Sequence, residues 1–370
     1  VIRGRLLAVL GLALAGCGSG AATTTHARGR PAVPPADTTP AGSAAPVVPA
    51  PDGDWTTFDF DAQRTGVGPA ATGITAADVG LLRRRTVRID GVADSSPIQL
   101  HGVGVRGRTR DVVVVTTTYG RTIAIDPGTG QRLWEYVPTG IGAYEGSSQI
   151  TTASPVADPD RRYVYASSPD GFIHKLAVAT GRQAWAARIT FDPTREKIEG
   201  ALNITGSYVI AATGGYYGDA PTYQGHVALI DRNSGQVVQV FNALCSNRHY
   251  LIDPPRSCGA SAAAIWARVG AVVEPGSHNL LVATGNGPFN GSTNWGDSVL
   301  ELTPDAGTLL QNWTPTNQAQ LNSGDQDLGS TAPALLPGGL AVQGGKDGIL
   351  RLLDLARLNG AGGAGPRTGG

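Results

Sequence analysis

The three cysteines are the residues of this 370-residue chain best placed to carry covalent chemistry. Cys17 closes the run Leu14-Ala15-Gly16-Cys17, which follows Arg3, Arg5 and an apolar stretch from Leu6 to Leu14. A cationic start, an apolar run too short to span a bilayer and small residues before a cysteine form a secretory signal ending in a lipobox, with Cys17 acylated after cleavage. Cys245 and Cys258 remain. In the oxidising compartment that such a signal implies, a Cys245–Cys258 disulfide is expected in preference to a two-cysteine metal site with no histidine at zinc spacing. The six histidines are scattered and read as surface or packing residues.

The charge balance narrows the partners. With 29 basic and 29 acidic residues and no basic block, the chain lacks the clustered positive charge of a nucleic-acid footprint. No second apolar run is long enough to cross a bilayer, so the expected membrane contact is the lipid anchor alone, on the outer side of a bacterial cell membrane. Residues 18–53 are mostly Ala, Thr, Pro, Gly and Ser and read as a disordered stalk between the signal at 1–17 and a folded part at 54–370.

That folded part repeats. Short β-branched runs alternate with turns, and one unit recurs: two strands joined by a turn, a Gly-containing turn, then an aromatic. Val112 to Thr116, Thr122 to Asp126, Thr129-Gly130 and Trp134 form the first copy; Tyr163 to Ala166, Ile173 to Ala177, Thr180-Gly181 and Trp185 form the second. Looser copies run through His226 to Asp231 and Phe241, through Ser298 to Leu302 and Trp313, and through Leu340 to Asp354. A period of roughly fifty residues with short strands means all-β propeller blades of four strands, since one such unit cannot bury both of its faces alone. About five blades are expected, with the last breaking off in the Gly-rich segment 360–370 and the closing C-terminal blades missing. Asp170-Gly171 and Asp347-Gly348 are expected as tight turns in which Gly supplies positive φ. The aromatic after each last turn is expected to wedge between blades.

The repeat resembles the quinoprotein alcohol dehydrogenase superfamily, propellers with pyrroloquinoline quinone (PQQ) type repeats. The residues that carry the likeness are Asp126-Pro127-Gly128-Thr129-Gly130-Gln131-Arg132-Leu133-Trp134, Asp170-Gly171-Phe172, Lys346-Asp347-Gly348-Ile349 and the entry segment Trp55 to Gly66. The resemblance implies PQQ and calcium as cofactors and an alcohol or sugar as substrate. It implies Trp266 as the floor beneath the quinone, Asn286 of Thr284-Gly285-Asn286 as a calcium ligand, and Asp327 as the catalytic base beside the same metal. The chemistry is coherent: a flat quinone suits an aromatic face, a hard cation suits oxygen ligands, and alcohol oxidation needs a carboxylate base. Packing for Trp266, a Gly-flanked turn for Asn286 and a backbone cap for Asp327 are the plainer roles for the same residues. The sequence departs from the superfamily in two places. The stretch Gly146 to Ser154 lacks the vicinal cysteines and following Arg, and the expected calcium-binding Glu is replaced by a region containing only Asp219, off register. No Cys-x-x-Cys-His haem attachment is present, so a dehydrogenase would need a separate electron acceptor. The alternative expectation is a non-catalytic propeller lipoprotein that binds an envelope protein or polysaccharide.

Overall fold

The computed structural model describes residues 53–68, 73–216 and 221–361; Cys17, the signal, the stalk up to residue 52 and Asp219 lie outside the described residues. Five antiparallel sheets follow one another along the chain. The first holds β1 (Ile98–Val105), β2 (Arg108–Thr116), β3 (Thr122–Ile125) and β4 (Arg132–Tyr136). The second holds β5 (Val156–Ala157), β6 (Tyr163–Ser168), β7 (Phe172–Ala177) and β8 (Gln183–Arg188). The third comprises β9 (Glu196–Ile198), β10 (Asn203–Thr205), β11 (Tyr208–Gly215), β12 (His226–Asp231) and β13 (Val237–Asn242). The fourth comprises β14 (Val272–Val273), β15 (Leu280–Ala283), β16 (Val299–Leu302) and β17 (Leu309–Thr314), and the fifth β18 (Ala334–Leu336), β19 (Leu340–Gln343) and β20 (Arg351–Asp354). The Gly-rich end does not close the fifth sheet among the described residues: β21 (Gly360–Ala361) pairs in parallel with β17.

The core lies between sheets, which explains the sequence pattern. Along β11, Val209 and Ala211 pack with Tyr165 and Ile173 of the second sheet, while Ile210 and Ala212 pack with Leu280 and Val282 of the fourth. Alternate side chains point to opposite faces, and both faces are buried, so the strand reads as a continuous apolar run. The aromatic wedges do what the repeat implies. Trp134 is 3% exposed, donates from Nε1 to Val178 O at 2.7 Å and lies flat against Gly181 in the next sheet's turn. Trp185 repeats the contact one sheet on, donating to Arg232 O at 3.2 Å beside Gly235. Gly171 and Gly348 take φ of 86° and 74°, as their turns require.

The entry segment stitches the sheets together. Trp55 bridges to Gln99 of the first sheet, Thr56 O accepts from Ala157 N, Arg64 donates to Leu202 O at 2.9 Å, and Ala62 O accepts from Val273 N. One short stretch thus contacts β1, β5, the residue before β10, and β14, in four successive sheets. The long connection between β13 and β14 carries the Cys245–Cys258 disulfide, with Cα atoms 6.2 Å apart.

Candidate functional site

The link between β9 and β10 and the segments that lead into the fourth and fifth sheets bring Glu199, Trp266 and Asp327 to one cavity of about 470 Å³. Its remaining wall includes Lys197, Tyr216, Tyr223, Asp325 and Lys346. Trp266 and Asp327, chosen from sequence, therefore share a site. Asn286 is absent from the described lining, yet it belongs to the same construction, because its backbone N–H donates to Asp327 Oδ1 at 2.7 Å.

Asp327 is held from two sides. Its other oxygen pairs with the Lys346 ammonium, and its side chain is only 5% exposed. Burial lowers the Lys346 pKa, but the hydrogen bond to Asp327 and the charges of Asp327 and Asp325 outweigh this and raise it. The same ammonium lies 5.4 Å from the centroid of the Trp266 ring, within cation–π range. Behind Asp327 sits a second buried carboxylate, Asp297, whose Oδ1 accepts from Leu328 N at 3.1 Å and whose Oδ2 accepts from Gln318 Nε2 at 3.4 Å. Burial pushes the Asp297 carboxyl up to about 7; the Leu328 N–H opposes the shift and the Asp327 charge adds to it.

Glu199 and Lys197 are site residues that the sequence reading missed. They pair at 3.0 Å, with side chains 10% and 14% exposed. They reach the cavity because β9 pairs with the far end of β11, Ile198 opposite Thr213 and Glu196 opposite Gly215. The available signal was a repeated strand end: Ala212-Thr213-Gly214 and Ala283-Thr284-Gly285 occupy matching places in neighbouring sheets. Both glycines face Trp266. A Cβ on Gly214 would run into Glu199 Oε2 and come 3.1 Å from Trp266 Cβ, and one on Gly285 would run into Asp327 Oδ1 and come 3.2 Å from Trp266 Nε1. The Trp266 side chain therefore has one carboxylate on the side of its Cβ, Glu199, and another on the side of its Nε1, Asp327, each with its own ammonium.

Among the described residues no group of three acidic, histidine or cysteine side chains is placed to hold a metal ion. Both oxygens of Asp327 are engaged, and Asn286 contributes its backbone rather than lining the cavity. The metal role of Asn286 and Asp327 stays an expectation of the sequence, and no step is routed through a metal.

Comparison with known proteins agrees with the architecture. A family model described as outer membrane protein assembly factor BamB, built on PQQ-type repeats, matches residues 95–252. The solved structure of quinohemoprotein alcohol dehydrogenase ADHIIG from Pseudomonas putida HK5 superposes with a TM-score of 0.66 at 19% identity, over 83% of this chain and 47% of that one. The chain folds as a PQQ-like β-propeller. A europium-containing methanol dehydrogenase superposes on this PQQ-like propeller with a TM-score of 0.62 at 17% identity, over 82% of this chain and 56% of that one. By sequence the propeller is 25% identical over 284 residues to quinohemoprotein alcohol dehydrogenase ADH IIB of Pseudomonas putida, covering 67% of this chain and 39% of that enzyme. It is 24% identical to the dehydrogenase subunit of a quinone-dependent alcohol dehydrogenase of Acetobacter aceti, covering 36% of it. The PQQ-like propeller thus spans under two fifths of these curated relatives.

Proposed function

We propose that the cavity is the working site of a quinoprotein-type dehydrogenase, extracytoplasmic and anchored through a lipid on Cys17, that oxidises an alcohol or sugar. The observation that carries this reading is the meeting of Trp266 and Asp327 in one cavity, with the backbone of Asn286 fixing the carboxylate. The indole face suits a planar quinone such as PQQ, and Lys346 beside it suits the quinone's carbonyl oxygen. When bound, the quinone supplies the two-electron acceptor. Asp327 takes the proton of the substrate hydroxyl, and the Asn286 N–H and Lys346 hold the carboxylate in place. The electrons pass on to a separate acceptor protein.

A second reading, a ligand-binding scaffold of the cell envelope, draws on one feature of the same cavity. Glu199, Asp325 and Asp327 face two ammonium groups, a balance that disfavours a ligand with several carboxylates. Its further support is the family model's description as an outer-membrane assembly factor. Titration of PQQ into the purified protein, with calcium and again with a chelator, separates the two. The dehydrogenase reading expects saturable binding with calcium, lost in Trp266→Ala, and turnover with an artificial electron acceptor that Asp327→Asn abolishes. A folded protein that binds no PQQ in either condition leaves the scaffold.

A further inference from the structure

The proton-transfer chemistry uses one end of Trp266 and leaves the other unexplained. At that other end the Glu199 carboxylate fills the gap opened by Gly214 and is paired with Lys197 at 3.0 Å. At the first end Asp327 fills the gap opened by Gly285 and is paired with Lys346. Tyr216 and Tyr223 complete the wall, and the Tyr216 hydroxyl is turned away to Pro193 O at 3.1 Å, leaving its ring as lining. The arrangement is a tryptophan flanked by two carboxylate–ammonium pairs, Glu199–Lys197 on its Cβ side and Asp327–Lys346 on its Nε1 side, with the Lys346 ammonium over the ring.

We propose that this cradle selects a neutral polyhydroxylated ring, a pyranose or a cyclitol. The inference rests on the cavity being the functional site, which both readings above share, and it does not rest on the quinone. A ring hydroxyl donates and accepts at once, so one hydroxyl meets the carboxylate of a pair and its neighbour meets the ammonium. The C–H face of the ring lies on the indole. A simple alkanol has a single hydroxyl; placed here it strips water from the Lys197–Glu199 pair and returns nothing. An anionic sugar meets three carboxylates against two ammonium groups. The volume of about 470 Å³ lies within the range of small-molecule sites.

The test uses the purified, quinone-free protein, with D-glucose, myo-inositol, D-gluconate and 1-hexanol as probes in isothermal titration. The expected result is saturable binding of glucose or inositol, with gluconate and hexanol at least tenfold weaker. Glu199→Gln, nearly the same size, weakens the neutral ring at least tenfold, while circular dichroism shows the fold retained. Lys197→Met serves as a second variant should Glu199→Gln misfold, with the same loss expected. Hexanol or gluconate binding as tightly as the neutral rings, no binding of either ring, or neutral-ring affinity unchanged in both variants overturns the proposal. Because no quinone is present, these outcomes are separate from the PQQ titration: a protein that takes the ring and no PQQ keeps this inference and loses the dehydrogenase.

Discussion

Gly285→Ala perturbs the site without removing any of its functional groups. Gly285 is outside the left-handed region, so alanine is acceptable to the backbone and the effect is purely one of space. The new Cβ overlaps Asp327 Oδ1 and lies 3.2 Å from Trp266 Nε1. Carbon–oxygen contacts sit near ~3.3 Å, so the carboxylate must retreat by roughly 1 Å. That retreat breaks the 2.7 Å bond from Asn286 N–H and displaces the pairing with Lys346. A charge-assisted hydrogen bond to a buried carboxylate is worth about 1.5–3 kcal/mol. The melting temperature should therefore fall by a few degrees, and ligand affinity at the Asp327 end should fall by roughly 10- to 100-fold. Differential scanning fluorimetry and titration calorimetry on the same preparation read both quantities. The matched change Gly214→Ala displaces Glu199 instead, since its Cβ overlaps Glu199 Oε2. If Gly285→Ala leaves both stability and affinity unchanged, Asp327 is not held as described, and its place in the site is refuted.

Three further outcomes follow from the same structure. The Asp297 carboxyl is held near 7, above its ordinary value, so the stability it contributes is present in full below about pH 4 and is lost as pH rises through about 7. Asp297→Asn keeps an acceptor for Leu328 N–H and should flatten the decline in urea midpoint between pH 4 and 8; Glu196, also raised to about 7 by burial, retains its share of the slope. Replacing both Cys245 and Cys258 by Ser opens a bridge between residues 13 apart and should cost about 3 kcal/mol in denaturant unfolding, with the wild-type value unaltered by metal chelators. Trp134→Ala should cost about 3–5 kcal/mol. Gly181→Ala should also destabilise, because its φ is 73° and its Cβ would lie 2.7 Å from the Trp134 ring, and the double variant should cost less than the sum of the two.

The repeat was legible because its punctuation is chemical. Asp126 accepts from Thr129 N at 2.9 Å and Asp231 from Ser234 N at 2.7 Å, so an acidic residue followed by a Thr or Ser and a Gly marks a turn wherever it occurs. Trp134 and Trp185 are legible for a like reason: each stands four residues after its own turn glycine and meets a glycine across the blade boundary, whereas Phe241 and Trp313 stand six residues after theirs. The first strands of the second and fourth sheets were invisible, since β5 and β14 are two residues each and carry no period to detect.

The cavity divides along the same line. Trp266, Asn286 and Asp327 could be found because a family pattern spans all three, and of Asn286 it is the backbone N–H, not the side-chain amide, that holds the carboxylate. Lys197 and Glu199 had no such pattern. Their relation to Trp266 is set by the pairing of β9 with the end of β11 and by the missing side chain of Gly214, a contact between residues separated by most of a blade and an insertion. A glycine that makes room leaves no trace of what it makes room for. The carboxylate that faces the ligand at that end is therefore a property of the fold, and the ligand's chemistry has to be argued from the cavity rather than from the repeat.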